Sequence, residues 1–358
     1  MSKFYPLSVA AVRQETRDTI VATLAIPPSL RERFAFTQGQ HLTLRADING
    51  EDLRRSYSIC SAVQDDALRV AIKRTPGGQF STWAHDTLKP GVSIEVMPPM
   101  GHFNLPLDAT NHKNYLGFAA GSGITPMLSI IKTTLRSEPH SSFTLVYGNR
   151  SSAAVIFRDE LADLKDYYGA RLNIVYVMSR EQQDIDLFNG RITREKCDQL
   201  FEHWITVADH DAAFVCGPED MMHNVSEALQ AHGMPRADIK IELFAASIPK
   251  HQHVAHAHPL VGNQECEVTL IIDGSRHSFS MAKDKESVLD AGLAQGIDIR
   301  YSCKGGVCST CRCKVVEGKL EMDANYALED YEIAHGFILS CQAFPVTDHV
   351  VLDFDQDN

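Results

Sequence analysis

The chain holds nine cysteines, and five of them crowd toward its end. Cys303, Cys308 and Cys311 follow the spacing C-x4-C-x2-C, Cys313 stands two residues on, and 29 residues separate Cys311 from Cys341. That spacing, with a distant fourth cysteine, is the pattern of a thiolate-held [2Fe–2S] cluster. Each iron takes two thiolates beside the bridging sulfides, so four are needed. Gly305 and Gly306 let the backbone bend around such a cluster and turn N–H groups toward its sulfurs. A zinc site or a plain buried cysteine group are the competing readings. Zinc favours paired C-x2-C units, and this stretch has one. Cys313 falls outside the C-x4-C-x2-C spacing and is expected to point away from the cluster, as a bystander thiol. The expected ligands are therefore Cys303, Cys308, Cys311 and Cys341.

Cys60, Cys197, Cys216 and Cys266 are scattered, and an odd total does not make a disulfide framework. No apolar run approaches the roughly 18 residues of a membrane span, and the N-terminus has no basic segment followed by an apolar one. A cytoplasmic location is expected. A net charge of −12 argues against nucleic acid or an anionic membrane as partner. A chain of 358 residues should form two or three domains.

Residues 1–107 read as short strands: Leu7–Val12, Thr19–Ile26, His41–Leu44, Tyr57–Cys60, Leu68–Ile72 and Ser93–Val96. Glycine and proline punctuate them, which predicts a small antiparallel barrel. From 108 to 245, apolar strands alternate with helical patterns, the grammar of an open parallel α/β sheet. Strands are expected at Tyr115–Ala120, Phe143–Tyr147, Leu172–Met178 and Ala212–Cys216. Helices are expected at Met127–Leu135, Phe157–Leu164 and Met221–His232. Residues 246–264 carry Pro249, Pro259 and four histidines, His251, His253, His256 and His258. A histidine tract can bind metal, but no acid or cysteine completes a site, and a solvated linker is the favoured reading. Residues 265–358 open on a hairpin signal around Asp273-Gly274, followed by a helix over Ser287–Gln295 and the cysteine loop.

The other two regions must supply or receive the cluster's electrons. Arg55-Ser56-Tyr57-Ser58 puts Arg55 and Tyr57 on one strand face. Arg55 can pair with a phosphate, Tyr57 can lie against an isoalloxazine ring, and Ser58 can hydrogen-bond its N5 edge. Taken alone, the tetrapeptide also fits an ordinary strand with an exposed arginine. Gly77 and Gly78, with Ser81 as a possible cap, precede a helix and can cradle a flavin pyrophosphate; a tight turn is the alternative. Gly121, Gly123 and Thr125 lie in a strand-to-helix turn that lets a dinucleotide approach closely. Cys216 and Gly217 end another strand, where α/β sheets bind ligands, although Cys216 alone reads as a core cysteine. Arg150, just past a strand, sits where an adenine ribose would lie and favours a 2′-phosphate, hence NADPH over NADH.

In this order the motifs resemble the ferredoxin–NADP reductase superfamily joined to a C-terminal plant-type ferredoxin. The resemblance covers nearly the whole chain and is carried by Gly39 to Leu44, Ala119 to Met127, Tyr147 to Arg150 and Tyr301 to Cys308. It implies an antiparallel β-barrel flavin domain, an open parallel α/β nucleotide domain and an α+β, β-grasp-like ferredoxin domain. It implies FAD on Arg55, Ser56, Tyr57 and Ser58 with Gly78 and Ser81 at its phosphates, although FMN stays open. It places Thr125 and Cys216 near the nicotinamide, and matches Glu242 and Phe244 to an E-x-F close to the flavin. Ser58, Thr125, Cys216 and Glu242 are thus the expected catalytic group. In the plant enzymes the reductase chain ends in an aromatic residue over the flavin; here it runs on into the linker. The implied activity passes electrons from NADPH through FAD and the [2Fe–2S] cluster to an oxygenase component. A di-iron oxygenase acting on phenylacetyl-CoA is expected, in aerobic phenylacetate degradation. The alternatives are a Rieske oxygenase or a hybrid-cluster protein. A redox sensor would need an output module, and no segment is left over for one.

Overall fold

The computed structural model describes residues 4–244 and 264–356. The expected linker, 246–264, lies outside the described residues except for Gln264. The chain divides into two compact units, Tyr5–Glu242 and the part from Leu243 onward.

The first unit begins with β1 (Tyr5–Thr16), β2 (Thr19–Ala25), β3 (His41–Ile48), β4 (Glu51–Ser58), β5 (Leu68–Lys73), α1 (Gln79–Thr87) and β6 (Ser93–Met100). The six strands form one sheet in the order β4-β3-β6-β1-β2-β5, with antiparallel pairing. A bridge from Ile59 to Val70 joins the two edges and closes the barrel. Alternate residues turn Leu7, Val9, Leu42, Leu44, Val70 and Val96 into its core. The β3–β4 hairpin turns on Asn49 (φ 57°) and Gly50 (φ 82°), a two-residue turn that suits the right-handed strand twist. It sets the register that pairs Leu44 with Arg55 and Leu42 with Tyr57. The R-x-Y-S tetrapeptide therefore ends β4, where sequence placed the start of a strand.

The same unit continues with β7 (Asn114–Ala120), α2 (Ile124–Ser137), β8 (Ser142–Asn149), α3 (Arg158–Tyr168), β9 (Leu172–Met178), α4 (Arg194–His203), β10 (Ala212–Gly217), α5 (Glu219–Ala231) and β11 (Ile239–Leu243). The strand order is β11-β10-β7-β8-β9, parallel from β10 through β9. Helices on the faces of a parallel sheet bury both sides of its strands, hence the apolar run of β10 and, past the exposed Asn114, that of β7. The strands end together beside the glycine turn between β7 and α2.

The second unit comprises β12 (Glu265–Ile272), β13 (Ser275–Ala282), α6 (Val288–Ala294), β14 (Arg312–Glu317), β15 (Leu320–Met322), α7 (Asp330–Ala334), β16 (Phe337–Leu339), β17 (Ala343–Pro345) and β18 (His349–Asp353). Its mixed sheet runs β13-β12-β18-β14-β16, with β12 and β18 parallel, and β15 pairs separately with β17. Asp273 (φ 49°) and Gly274 (φ 74°) make the expected hairpin turn. Ser287 caps α6 by accepting from the Asp290 N–H at 3.2 Å. Val268, Leu270, Leu289, Ile299, Val350 and Leu352 form the core under the cysteine loop.

Candidate functional site

Ser58 closes β4 and is buried, whereas Arg55, three residues back, stays exposed with its Nη1 donating to the Arg54 carbonyl at 2.7 Å. Tyr57 packs against Phe80 of α1, ring centroids 5.9 Å apart, and burial pushes its phenol well above the ordinary range. The Ser58 hydroxyl donates to Glu242 Oε2 at 3.2 Å, a contact that spans 184 residues. Glu242 keeps a window of accessible surface, but protein surrounds it closely. Burial raises its carboxyl to about 8, outweighing the Ser58 hydrogen bond that lowers it. Cys216 at the end of β10 is fully buried, and its thiol is pushed well up by burial first and by the Glu242 charge second. The structure thus gathers Ser58, Cys216 and Glu242 from β4, β10 and β11 around one point. Phe244 follows β11 directly and is half-buried.

The glycine turns are shaped for close approach. A side-chain carbon on Gly123 would lie 2.0 Å from the Cys216 carbonyl oxygen, so only glycine lets the start of α2 rest on the end of β10. One on Gly217 would lie 2.5 Å from Met221 Cε. Gly121 has φ +53°, and its carbonyl accepts from the Tyr147 hydroxyl at 2.9 Å. The Thr125 hydroxyl donates to the Ser122 carbonyl at 3.0 Å and is buried. In the barrel, Gly77 has φ +72° and precedes α1, whose first turn presents free N–H groups. A side-chain carbon on Gly78 would crowd Ser81 Oγ at 2.7 Å. Ser81 is not the cap that sequence predicted. It lies inside the first turn of α1, its hydroxyl accepting from the Thr75 N–H at 3.1 Å and donating to the Gly78 carbonyl at 3.3 Å. It pins the glycine turn shut from within.

Arg150 follows β8 and is exposed. Its carbonyl accepts from the Arg180 N–H at 2.9 Å, so a second exposed arginine, past the end of β9, stands beside it. Sequence reasoning passed over Arg180, which lies two residues past the end of β9 and comes beside Arg150 only through this backbone bond. It also passed over Lys73 at the end of β5. The Lys73 Nζ lies 3.8 Å from where a side-chain carbon on Gly121 would be, and 3.7 Å from Asp18 Oδ2. A cation from the barrel therefore faces the dinucleotide turn.

In the second unit, Cys308, Cys311 and Cys341 are buried and Cys303 is partly open. The sulfurs meet pairwise: Cys303 is within hydrogen-bond reach of Cys308 and Cys341, and Cys341 of Cys311. Among the described residues, no three His, Cys, Asp or Glu side chains gather as a single bound ion would need. Two sulfurs per metal is the donor set of a two-iron cluster, and the residues fit that group. Lys304 (φ 54°), Gly306 (φ 75°) and Ser309 (φ 47°) take left-handed conformations that bend the cysteine loop tightly. The Gly305 N–H donates to Cys303 Sγ at 3.3 Å. A side-chain carbon on Gly306 would meet the Ala324 carbonyl at 2.9 Å. Cys313 is paired in register with Ile338 and packs into the apolar core.

A flavin cradle, a nucleotide-binding parallel sheet with a buried Ser–Cys–Glu cluster, and a four-thiol loop in one chain define an electron-transfer oxidoreductase. Three family profiles match it: an oxidoreductase FAD-binding domain at 6–105, an oxidoreductase NAD-binding domain at 118–227 and a 2Fe-2S iron-sulfur cluster binding domain at 270–346. The chain belongs to the family of NAD(P)H-dependent, FAD- and [2Fe–2S]-containing oxidoreductases that form reductase components of multicomponent oxygenases. It is 47% identical over 355 residues to a subunit of the 1,2-phenylacetyl-CoA epoxidase of Escherichia coli (strain K12), covering 99% of both chains. It is 39% identical to the 3-ketosteroid-9-alpha-monooxygenase, ferredoxin reductase component, of Rhodococcus rhodochrous, covering 97% of this chain and 96% of that one. Among solved structures, phthalate dioxygenase reductase aligns over 98% of both chains at 25% identity and a TM-score of 0.59. An intact type IV self-sufficient cytochrome P450 monooxygenase matches in fold alone, with a TM-score of 0.73 and 23% identity. That likeness covers 98% of this chain and 41% of the larger one. Among the described residues, no helix is long and apolar enough to cross a membrane.

Proposed function

We propose that this reductase carries electrons from NADPH to the di-iron oxygenase component of a phenylacetyl-CoA epoxidase, in the cytoplasm. The observation that carries the reading is the 47% identity, end to end, to a protein named as part of that enzyme. The cytoplasmic assignment rests on free, unpaired cysteines and on cofactors drawn from cytoplasmic pools. Residues 1–107 act as the flavin domain, 108–245 as the nucleotide domain, 246–264 as linker and 265–358 as the ferredoxin domain.

When bound, FAD takes a hydride and the [2Fe–2S] cluster carries one electron at a time, and that chemistry belongs to the cofactors. The chain's part is to hold them. Arg55, with Ser56 beside it, offers a cation for the flavin phosphates, Tyr57 a ring face, and Gly77, Gly78 and the Ser81-braced turn a cradle. Gly121, Gly123, Thr125 and Gly217 would make room for the nicotinamide nucleotide, and Lys73, beside Gly121, would offer its pyrophosphate a cation. Arg150 and Arg180, both exposed, would offer cations to a 2′-phosphate and so favour NADPH. Ser58, Cys216 and Glu242 line the point of hydride exchange. There the Glu242 carboxyl, raised by desolvation and hydrogen-bonded by Ser58, would be able to hold a proton, and the Cys216 thiol, pushed up by burial, would stay neutral. Cys303, Cys308, Cys311 and Cys341 hold the cluster.

Reconstitution tests the reading. With the matching oxygenase component and phenylacetyl-CoA, NADPH oxidation should couple to substrate turnover. A second reading is a Rieske oxygenase partner; the 39% identity to the reductase component of a 3-ketosteroid-9-alpha-monooxygenase supports only that similar chains serve other oxygenases. A hybrid-cluster acceptor is the remaining alternative. Coupled turnover with either, and none with phenylacetyl-CoA, would overturn the first assignment.

A further inference from the structure

Five charged side chains meet where the barrel touches the nucleotide-binding sheet, within the unit Tyr5–Glu242. Lys132 of α2 donates to Asp65 Oδ2 at 2.7 Å and to Glu160 Oε1 at 2.9 Å. Arg69 of β5 grips the same Glu160 with both arms, at 2.7 and 3.2 Å. Arg136 of α2 binds the other oxygen of Asp65. Lys132 is 7% exposed, Asp65, Arg69 and Glu160 about one fifth, and Arg136 36%. Neutral bonds flank the cluster: the Val63 N–H donates to Thr133 Oγ1 at 3.1 Å, and Gln64 Nε2 to Ser137 Oγ at 2.8 Å. Asp65 is itself held by the Ala62 N–H at 3.0 Å. Two acids and three bases thus tie barrel residues 62–69 to the far half of α2 and the first turn of α3.

α2 begins at the dinucleotide turn. Its first residues, Ile124 and Thr125, follow Gly123, which rests on the Cys216 carbonyl, and α2 is buried from Ile124 through Leu135. A helix is stiff over this length, so whatever clamps Lys132 also places the turn at its start, about two helical turns away. Such partly buried ion clusters stabilise little compared with apolar packing of the same volume, but they demand one geometry. Hydride transfer is the step most sensitive to that geometry, since reacting atoms must lie at near-contact distance.

We propose that the Asp65–Lys132–Glu160–Arg69–Arg136 cluster is a latch that sets the distance between the nicotinamide-binding turn and the flavin barrel. Lys132 and Glu160 are its positioning residues for hydride transfer. The inference rests on the family's NAD(P)H-to-FAD chemistry and not on the choice of oxygenase partner. Neither residue touches the nucleotide turn, so the latch should act on rate and not on affinity.

The test uses the full-length, FAD-loaded protein with Glu160→Gln and Lys132→Met, singly and together. Single-turnover flavin reduction at saturating NADPH should slow by roughly 10- to 100-fold, the cost of misplacing reacting groups by about 1 Å. The dissociation constant for NADP+ and the FAD content should hold, while the long-wavelength nicotinamide–flavin charge-transfer absorbance falls with the rate. The double variant should be no slower than the worse single one, because both open the same latch. Wild-type rates in FAD-loaded variants would overturn the proposal, as would fully additive losses. If Glu160→Gln and Lys132→Met fail to fold, the more exposed Arg136→Gln decides alone. A slower flavin reduction at unchanged NADP+ affinity supports the latch, and a wild-type rate refutes it.

Discussion

Burial leaves Glu242 with a proton that an ordinary carboxyl would lose. Its value rises from 4.5 to about 8 because desolvation outweighs the hydrogen bond from Ser58. As pH climbs from 4.5 to about 8, the unfolded chain gives up this proton while the native state keeps it. The group therefore makes stability fall across that window. Flavin reduction by NADPH should slow as pH rises through about 8 in the wild type. Glu242→Gln should flatten that step, which stopped-flow rates across pH would reveal. At the cluster, serine at Cys303, Cys308, Cys311 or Cys341 should remove or badly destabilise the iron–sulfur centre, whereas Cys313→Ser should spare it. Iron content and the visible spectrum report this directly, and a cluster kept without Cys308 would break the ligand assignment. At the nucleotide edge, Arg150→Ala and Arg180→Ala should each weaken NADPH far more than NADH. A charge-assisted bond of roughly 1.5–3 kcal/mol corresponds to about 10- to 150-fold. Equal losses for both nucleotides in steady-state kinetics would mean that neither arginine reads the 2′-phosphate.

At the scale of elements, strands and helices with strong periodicity were legible, and charged or short ones were not. The α2, β9 and β10 patterns stand out because nearly every position is apolar or follows the helical repeat. α4 buries only Cys197, Leu200 and Phe201, so its sequence reads as solvated, although Thr193 caps it by accepting from the Lys196 N–H at 3.3 Å. β15, β16 and β17 have three residues each, too few to show a period. β11 is half-buried at its centre and gains its place only by joining β10 at the sheet edge. The contact between α2 and β10 carries a prediction. In Gly123→Ala the methyl must displace the Cys216 backbone, an overpacking cost of about 1–3 kcal/mol. Thermal unfolding should show the first unit destabilised and NADP+ binding weakened, with the [2Fe–2S] spectrum unchanged.

Over the whole molecule, charge is unevenly shared. Residues 265–358 carry 17 acids against 8 bases, most of the net −12. An acidic ferredoxin domain steers toward a more basic partner, and salt weakens such steering. Turnover with the oxygenase should therefore fall as ionic strength rises, while ferricyanide reduction by NADPH changes less. A chain ending near Ala246 keeps the barrel and the parallel sheet. It should still bind FAD and reduce ferricyanide, but should not drive the oxygenase. Full oxygenase rates from the truncated chain would mean that the cluster is not the obligatory outlet.

What the sequence determined alone is local. The spacing of Cys303, Cys308 and Cys311, the glycine turns at 77–78 and 121–123, and the Arg55–Ser58 tetrapeptide are each written within a few residues, because ligand loops and turns depend on neighbours in the chain. Arg180 and Lys73 became visible only when folding set them beside Arg150 and Gly121. Likewise, the Ser58–Glu242 contact and the Asp65–Lys132–Glu160 latch join residues far apart in the chain. In sequence each latch residue looks like any solvated surface charge. Tertiary packing alone removes water from these groups, and that removal raises the Glu242 carboxyl and holds Lys132 between two acids.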